Sequence, residues 1–422
     1  MSVSNPAPET TSSLPEEAPA GDVPPRAGLM LLILIMGMGI YFGIVTDSFP
    51  VVIFVLGIIL MVMIHEAGHF VVAKKCGMKV TQFFFGFGPR LWSFRRGETE
   101  YGVRALPFGG FVKIIGMSNV ERDVDPADEP RTYRQQSFGK RVAVAVAGVT
   151  THFILAFLVL TLIWFAIGIE DVDRPTLTVE SITRDSAADK AGFQLGDRIV
   201  SIDGNPISEW ANLPPYVQQR ANQPVRFVVE RDGRQVPLTA TPGEITRDGK
   251  MVGFLGVGPG YDIERASLPE AVVNGAKTTG RITVLTVQSL GMLFAVGDYV
   301  DNLKASPDAD RQGPAEDRPV SVVGAARLAD QAAEEDIRSV LLLFAGLNIF
   351  VAVINLLPLL PFDGGHVAIA TYERIRSRRG QRYHADVSKM MPVAVAVVAY
   401  FILVGAVTIF GDIVNPMQNP FQ

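Results

Sequence analysis

Hydrophobic and polar residues are segregated along this chain into long blocks. Apolar runs occupy residues 28–46, 51–73, 142–169, 339–362 and 391–411. At ~1.5 Å per helical residue, a run of about 20 crosses a ~30 Å hydrocarbon core. The pattern predicts about five membrane-spanning helices and excludes a simple soluble protein. Residues 266–297 differ. Their most apolar part, 282–297, is short and carries Gln288 and Ser289, which predicts an amphipathic helix lying on the membrane or on the protein.

Two stretches between the spans follow strand periodicity. Residues 176–258 alternate apolar and polar positions, as in Thr176-Leu-Thr-Val-Glu-Ser-Ile and Pro224-Val-Arg-Phe-Val-Val-Glu, and predict an inserted α+β domain. Residues 77–116 hold strand-like segments broken by Gly86-Phe-Gly-Pro89 and Gly109-Gly110, and predict a β-hairpin. Residues 298–338 begin polar and rich in Asp and Pro and predict a linker. Residues 1–27, with almost nothing to bury, predict a disordered tail. The first apolar run is long and ends in Thr46-Asp-Ser-Phe-Pro50. It predicts an uncleaved helix, not a signal peptide.

Charge orients this arrangement. The chain carries 38 Lys+Arg against 43 Asp+Glu, a formal charge of −5, which argues against a nucleic-acid partner. Residues 74–141 hold 13 basic against 7 acidic residues, and residues 371–389 hold 6 against 2. Basic loops stay inside, which places both segments and the N-terminus in the cytoplasm of a cell-membrane protein. The inserted domain is then extracytoplasmic. The lone Cys76 excludes an intramolecular disulfide and a Cys-rich metal site.

The strongest chemical signal is His65-Glu66-Ala-Gly-His69. On a helix, positions i and i+4 share a face, so both imidazoles can reach one metal ion, with Glu66 beside them to take a proton from water. The motif lies inside an apolar run, where every ionisable group is costly. Counting from Val51, His65 lies ~21 Å down the helix, or ~9 Å from the cytoplasmic edge of the core. Two histidines call for a third protein ligand. Asp363, in Asn355-Leu-Leu-Pro-Leu-Leu-Pro-Phe-Asp363-Gly-Gly-His366, reaches the same side, and Pro358 and Pro361 shorten its path by breaking the helix. His366 is an alternative ligand or a neighbour of the site.

These motifs, with the inserted domain between them, resemble the site-2 protease family of intramembrane zinc metalloproteases, peptidase M50. The likeness is greatest to bacterial and actinobacterial members acting in regulated intramembrane proteolysis. It runs from about Val51 to Pro416 through His65-Glu66-x-x-His69, Gly86–Pro89, Tyr101–Gly116, Gly192–Gly204 and Asn355–His366. The resemblance implies one zinc per chain on His65, His69 and Asp363, and Glu66 as catalytic base. It implies that Asn355 holds the substrate or its oxyanion. It implies that 77–116 is a membrane-entrant β-hairpin on the cytoplasmic side and that 176–258 is a PDZ-like domain. It also implies substrates: single-pass membrane proteins of the anti-sigma-factor or signal-peptide-remnant type, shortened first by an upstream site-1-type protease. Membrane lipid is the other partner.

The chain departs from that family in its extra helix 28–46. It departs again where Gly-Pro-x-x-Asn reads Gly148-Val-Thr-Thr-His152. His152 is either a hydrogen-bond donor near the site or a buried histidine bonded to a neighbouring helix. The inserted domain either binds extended peptides or excludes bulky ectodomains. An ion path through His65, His69 and Asp363 is a competing reading, but the other spans carry few polar residues. Glu66 argues against a catalytically dead scaffold.

Overall fold

The computed structural model describes residues 25–45, 49–117, 124–247, 250–291, 324–325, 327–328, 331, 337–377 and 383–414. The tail expected at 1–27 and the linker expected at 298–338 lie largely outside these residues. Four described helices are long and apolar enough to cross a membrane: Val51–Lys75, Phe138–Ile167, Ile337–Asn355 and Val387–Asp412. Of the run expected at 28–46, residues 28–45 lie in a further helix, α1 (Pro25–Val45), whose Ile33, Leu34 and Tyr41 are exposed; residue 46 lies outside the described residues.

The chain forms two compact units. The first comprises the described parts of Met1–His152 and Val351–Leu403. It opens with α1 and α2 (Phe49–Lys75), then the strands β1 (Val80–Arg96) and β2 (Thr99–Ile114). Both strands bend, so residues 80–85 pair on one side with 110–114 and on the other with 100–103, while 90–96 pair with 99–104. Segment 110–114 is therefore an outer edge of this small sheet. Aromatic rings fasten it to α2. Phe70 lies 5.5 Å from Phe83 and 5.8 Å from Tyr101, ring centre to ring centre.

The N-terminal part of α3 (Phe138–Leu162) packs against α2. Ala73, Met78, Val80, Ile114, Tyr133 and Val144 form a buried cluster under the sheet. The apolar run expected to be helical over 339–362 is helical only to Asn355, in α7 (Ile337–Asn355). Hydropathy continues, but Pro358 and Pro361 lack the N–H groups a helix needs. The chain turns through 356–362 and restarts as α8 (Asp363–Arg376), followed by α9 (Met391–Val414).

The second unit comprises the described parts of Phe153–Phe350 and Val404–Gln422. Its sheet contains β3 (Ile169–Ile182), β4 (Arg198–Ile202), β5 (Asn205–Pro206), β6 (Val225–Arg231), β7 (Arg234–Ala240) and β10 (Val257–Glu264). The strand order is β10-β3-β4-β6-β7, with β5 beside β4, and β8 (Gly243–Arg247) pairs with β9 (Lys250–Phe254) as a separate hairpin. Alternation in β6 sends Val225, Phe227 and Val229 into a core with Val179, Ile199 and Trp210. The short helices α4 (Ala187–Ala191) and α5 (Leu213–Gln218) add Ala188, Leu213 and Val217 to it. Asp197 is fully buried, and Arg231 donates to both its oxygens at 2.7 Å. Burial alone would raise its pKa, yet this fork and the Gln194 N–H hold it below its ordinary value. Helix α6 (Leu268–Ser289) begins in a capping box between Ser267 and Glu270, each satisfying a donor at the helix start.

Candidate metal centre and active site

Helix α2 places His65 and His69 one turn apart, and both are buried, at 8% and 7% exposure. The turn after α7 delivers Asp363 as the first residue of α8. Side chains at Gly364 or Gly365 would strike the carbonyl oxygens of Leu356 and Leu357 or the backbone at Leu359 and Leu360. The Gly-Gly pair therefore lets α8 start hard against its own loop, with Asp363 facing α2.

The three ligand atoms form a nearly equilateral triangle. His65 Nε2 and His69 Nε2 are 3.1 Å apart, and each is 3.3 Å from Asp363 Oδ2. Atoms bound to one tetrahedral zinc at ~2.0–2.1 Å lie ~3.3 Å apart. Asp363 Oδ2 is buried with no well-formed hydrogen bond among the described residues, as expected of an atom placed for a metal. His69 Nδ1 lies 2.7 Å from the Val144 carbonyl oxygen, so Nδ1 carries the proton and Nε2 presents its lone pair. The residues present fit the ion, and among the described residues they form the one cluster that could hold a metal.

Glycine makes this approach possible on a third side. A Cβ at Gly148 of α3 would meet His69 Nε2, His65 Cε1 at 2.5 Å and His65 Nε2 at 2.7 Å. One turn further along α3, His152 is 2% exposed and its ring centre lies 4.8 Å from that of His65. Glu66 points to the sheet. Its carboxylate accepts the backbone N–H of Val112, and a Cβ at Gly110 would lie 3.0 Å from Glu66 Cγ. The outer edge 110–114 thus runs beside the glutamate.

Of the other site residues expected from sequence, Asn355 is the half-buried last residue of α7. His366 lies outside the ligand triangle and meets Tyr133 edge-on, with ring centres 6.4 Å apart. Burial pushes the Tyr133 phenol up to about 12, so this neighbour stays neutral. Sequence reasoning did not single out the Val144 carbonyl or the Gly110–Val112 edge. It named Gly148 only as the first residue of the Gly148–His152 stretch, not for its close approach to the imidazoles. A backbone carbonyl leaves no signal in a sequence.

The model of Peptidase family M50 matches residues 53–399. The chain is 35% identical over 407 residues to "Zinc metalloprotease Rip1" of Mycobacterium tuberculosis, covering 87% of this chain and 98% of that protein. It is 31% identical over 365 residues to "Metalloprotease MmpA" of Caulobacter vibrioides, covering 77% and 86%. Among solved structures, the PDZ domain of an SdrC-like protein from Listeria monocytogenes aligns with 21% of this chain and 92% of that one, at 19% identity and a TM-score of 0.18.

Proposed function

The chain belongs to peptidase family M50 and is a membrane-located zinc metalloprotease, and we propose that it hydrolyses peptide bonds within the transmembrane segments of single-pass proteins. The observation that carries this reading is the triangle of His65, His69 and Asp363 with Glu66 on the same helix turn.

In the proposal, His65, His69 and Asp363 would hold one zinc ion. Zinc so held acidifies water and polarises a carbonyl. Glu66 takes the proton of the attacking water and returns it to the leaving nitrogen. The Asn355 amide donates to the carbonyl oxygen as it gains negative charge, and His152 supplies a further donor beside His65. Peptide bonds of an intact helix are already hydrogen-bonded, so the substrate must unwind first. Segment 110–114 offers an unwound strand a backbone edge next to Glu66.

The expected topology puts this site on the cytoplasmic side of the membrane core and the inserted, PDZ-like domain outside. There the domain binds extended peptides or excludes bulky ectodomains. That agrees with substrates already shortened by another protease, of the anti-sigma-factor or signal-peptide-remnant type.

The test is cleavage of a model transmembrane substrate by full-length protein in detergent, with and without a zinc chelator. Cleavage that survives complete removal of zinc would sink the proposal.

A further inference from the structure

Behind the metal site lies an ion pair that the proposed reaction does not use. Arg141, on the first turn of α3, is 9% exposed, and Glu373, near the end of α8, is 3% exposed. Arg141 Nη1 donates to Glu373 Oε2 at 2.5 Å, and the Ala385 N–H donates to Glu373 Oε1 at 2.6 Å. The Arg141 guanidinium lies 5.1 Å from the centre of the Tyr133 ring, and the Tyr133 hydroxyl donates to the Arg141 carbonyl at 3.2 Å. The same ring meets His366, one turn beyond Asp363.

We propose that Arg141 and Glu373 are positioning residues for the metal centre: their pair fixes the helix that carries Asp363 against the helix whose Val144 carbonyl orients His69. Arg141 precedes Val144 by one turn of α3. Glu373 follows Asp363 by ten residues of α8, ~15 Å along a rigid helix. The third ligand comes from an element nearly 300 residues away in sequence from the first two, so something must set the distance between them. Loop 356–362 holds α8 at its N-terminal end, and Glu373 holds it at the other. Stability does not account for the pair, because apolar residues of similar volume commonly replace a buried ion pair without loss. An ion pair with committed hydrogen bonds, however, accepts one relative placement of its helices where an apolar contact accepts several.

This inference rests on the ligand assignment above, and the test separates the two. Zinc affinity is measured on full-length protein in detergent by competition with a chelator, for the wild type, His65→Ala, Glu373→Gln and the double variant Arg141→Met/Glu373→Met. Melting of each metal-free protein is recorded alongside. His65→Ala should abolish binding. Glu373→Gln and the double variant should bind zinc about 10- to 100-fold more weakly, the usual effect of losing a residue that orients a ligand. They should also lower kcat on a model substrate while KM stays within about twofold, since substrate contacts are untouched. If Glu373→Gln does not fold, the double variant, which leaves no unpaired charge, decides alone. Zinc affinity within about twofold of wild type, with only the metal-free melting temperature lowered, would reduce the pair to a structural contact and overturn the inference while leaving the ligand assignment standing. A wild type that binds no zinc would overturn both.

Discussion

His69 donates its Nδ1 proton to the backbone carbonyl of Val144 at 2.7 Å, and that bond turns its Nε2 lone pair toward Asp363. The contact joins α2 to α3 four residues before Gly148, where any side chain would run into both imidazoles. Helix packing and ligand geometry are therefore one problem in this protein, because the same close approach serves both.

Gly148→Ala tests that link. Alanine is the better helix former by about 0.8–1.0 kcal/mol, so propensity alone favours the change. The new Cβ, however, would fall among His69 Nε2, His65 Cε1 and His65 Nε2. We expect normal helicity by circular dichroism, with zinc content and cleavage both strongly reduced. Full zinc occupancy in a cleaving Gly148→Ala protein would mean that α3 stands off further than described.

The ligand set makes its own prediction. His65→Ala, His69→Ala and Asp363→Ala should each lose zinc, measured as metal per chain after purification, against one per chain in the wild type. His366→Ala should keep it, because His366 packs on Tyr133 and lies outside the triangle. The reverse result for Asp363 and His366 would exchange their roles.

What could be read in the sequence followed from periodicity. His65 and His69 share a helix face at a spacing of four, and an apolar run made their charge conspicuous. Asp363 could be paired with them because two prolines foretold a broken helix at the right depth. Hydropathy could not place the break, since it weighs side chains while a helix ends where backbone donors are missing. It assigned 356–362 to the membrane run, and the structure shows these residues turning. The capping box at Ser267 and Glu270 was written locally. The Arg141–Glu373 pair was not, because 232 residues separate its members and each alone looks like a charge at the end of a helix. The Val144 carbonyl could not be read at all, because every residue has one.

Acid should loosen the sheet next to the site. Arg131 donates to Glu98 at 2.8 Å. That bond, opposed by modest burial and assisted by Lys74, lowers the Glu98 pKa from 4.5 to about 2. A carboxylate depressed in the folded state contributes stability that is fully present above its unfolded pKa and lost as pH falls through the folded one. The contribution from Glu98 should therefore fade from about 4.5 down to about 2. Glu98→Gln should flatten the acid side of a melting-temperature profile relative to wild type. An unchanged profile would remove the salt bridge from the stability of this segment.

Topology is open to direct test. A tag at Gly97, in the turn between β1 and β2, should be protected from protease added outside intact cells, and so should one at Arg379. A tag at Asp232, in the turn between β6 and β7, should be cut. An accessible Gly97 tag would invert the orientation and put the site on the other face of the membrane.

Base and ligand can be separated at one position. Glu66→Gln keeps the size and shape of the side chain but cannot take a proton from water. The triangle of His65, His69 and Asp363 does not include it, so zinc content should match wild type. Its amide oxygen can still accept the Val112 N–H, so the sheet edge beside it should stay in place. Cleavage should fall by about 10²-fold or more, the usual contribution of a positioned general base. Substrate should remain bound and uncut, because neither the strand edge nor the inserted domain needs this carboxylate, and it should co-purify with the variant from detergent. Near-normal cleavage by Glu66→Gln at unchanged zinc content would remove the proposed proton path. The triad would then stand as a metal site without a base, and an ion path through His65, His69 and Asp363 would become the better account of why these three polar groups converge.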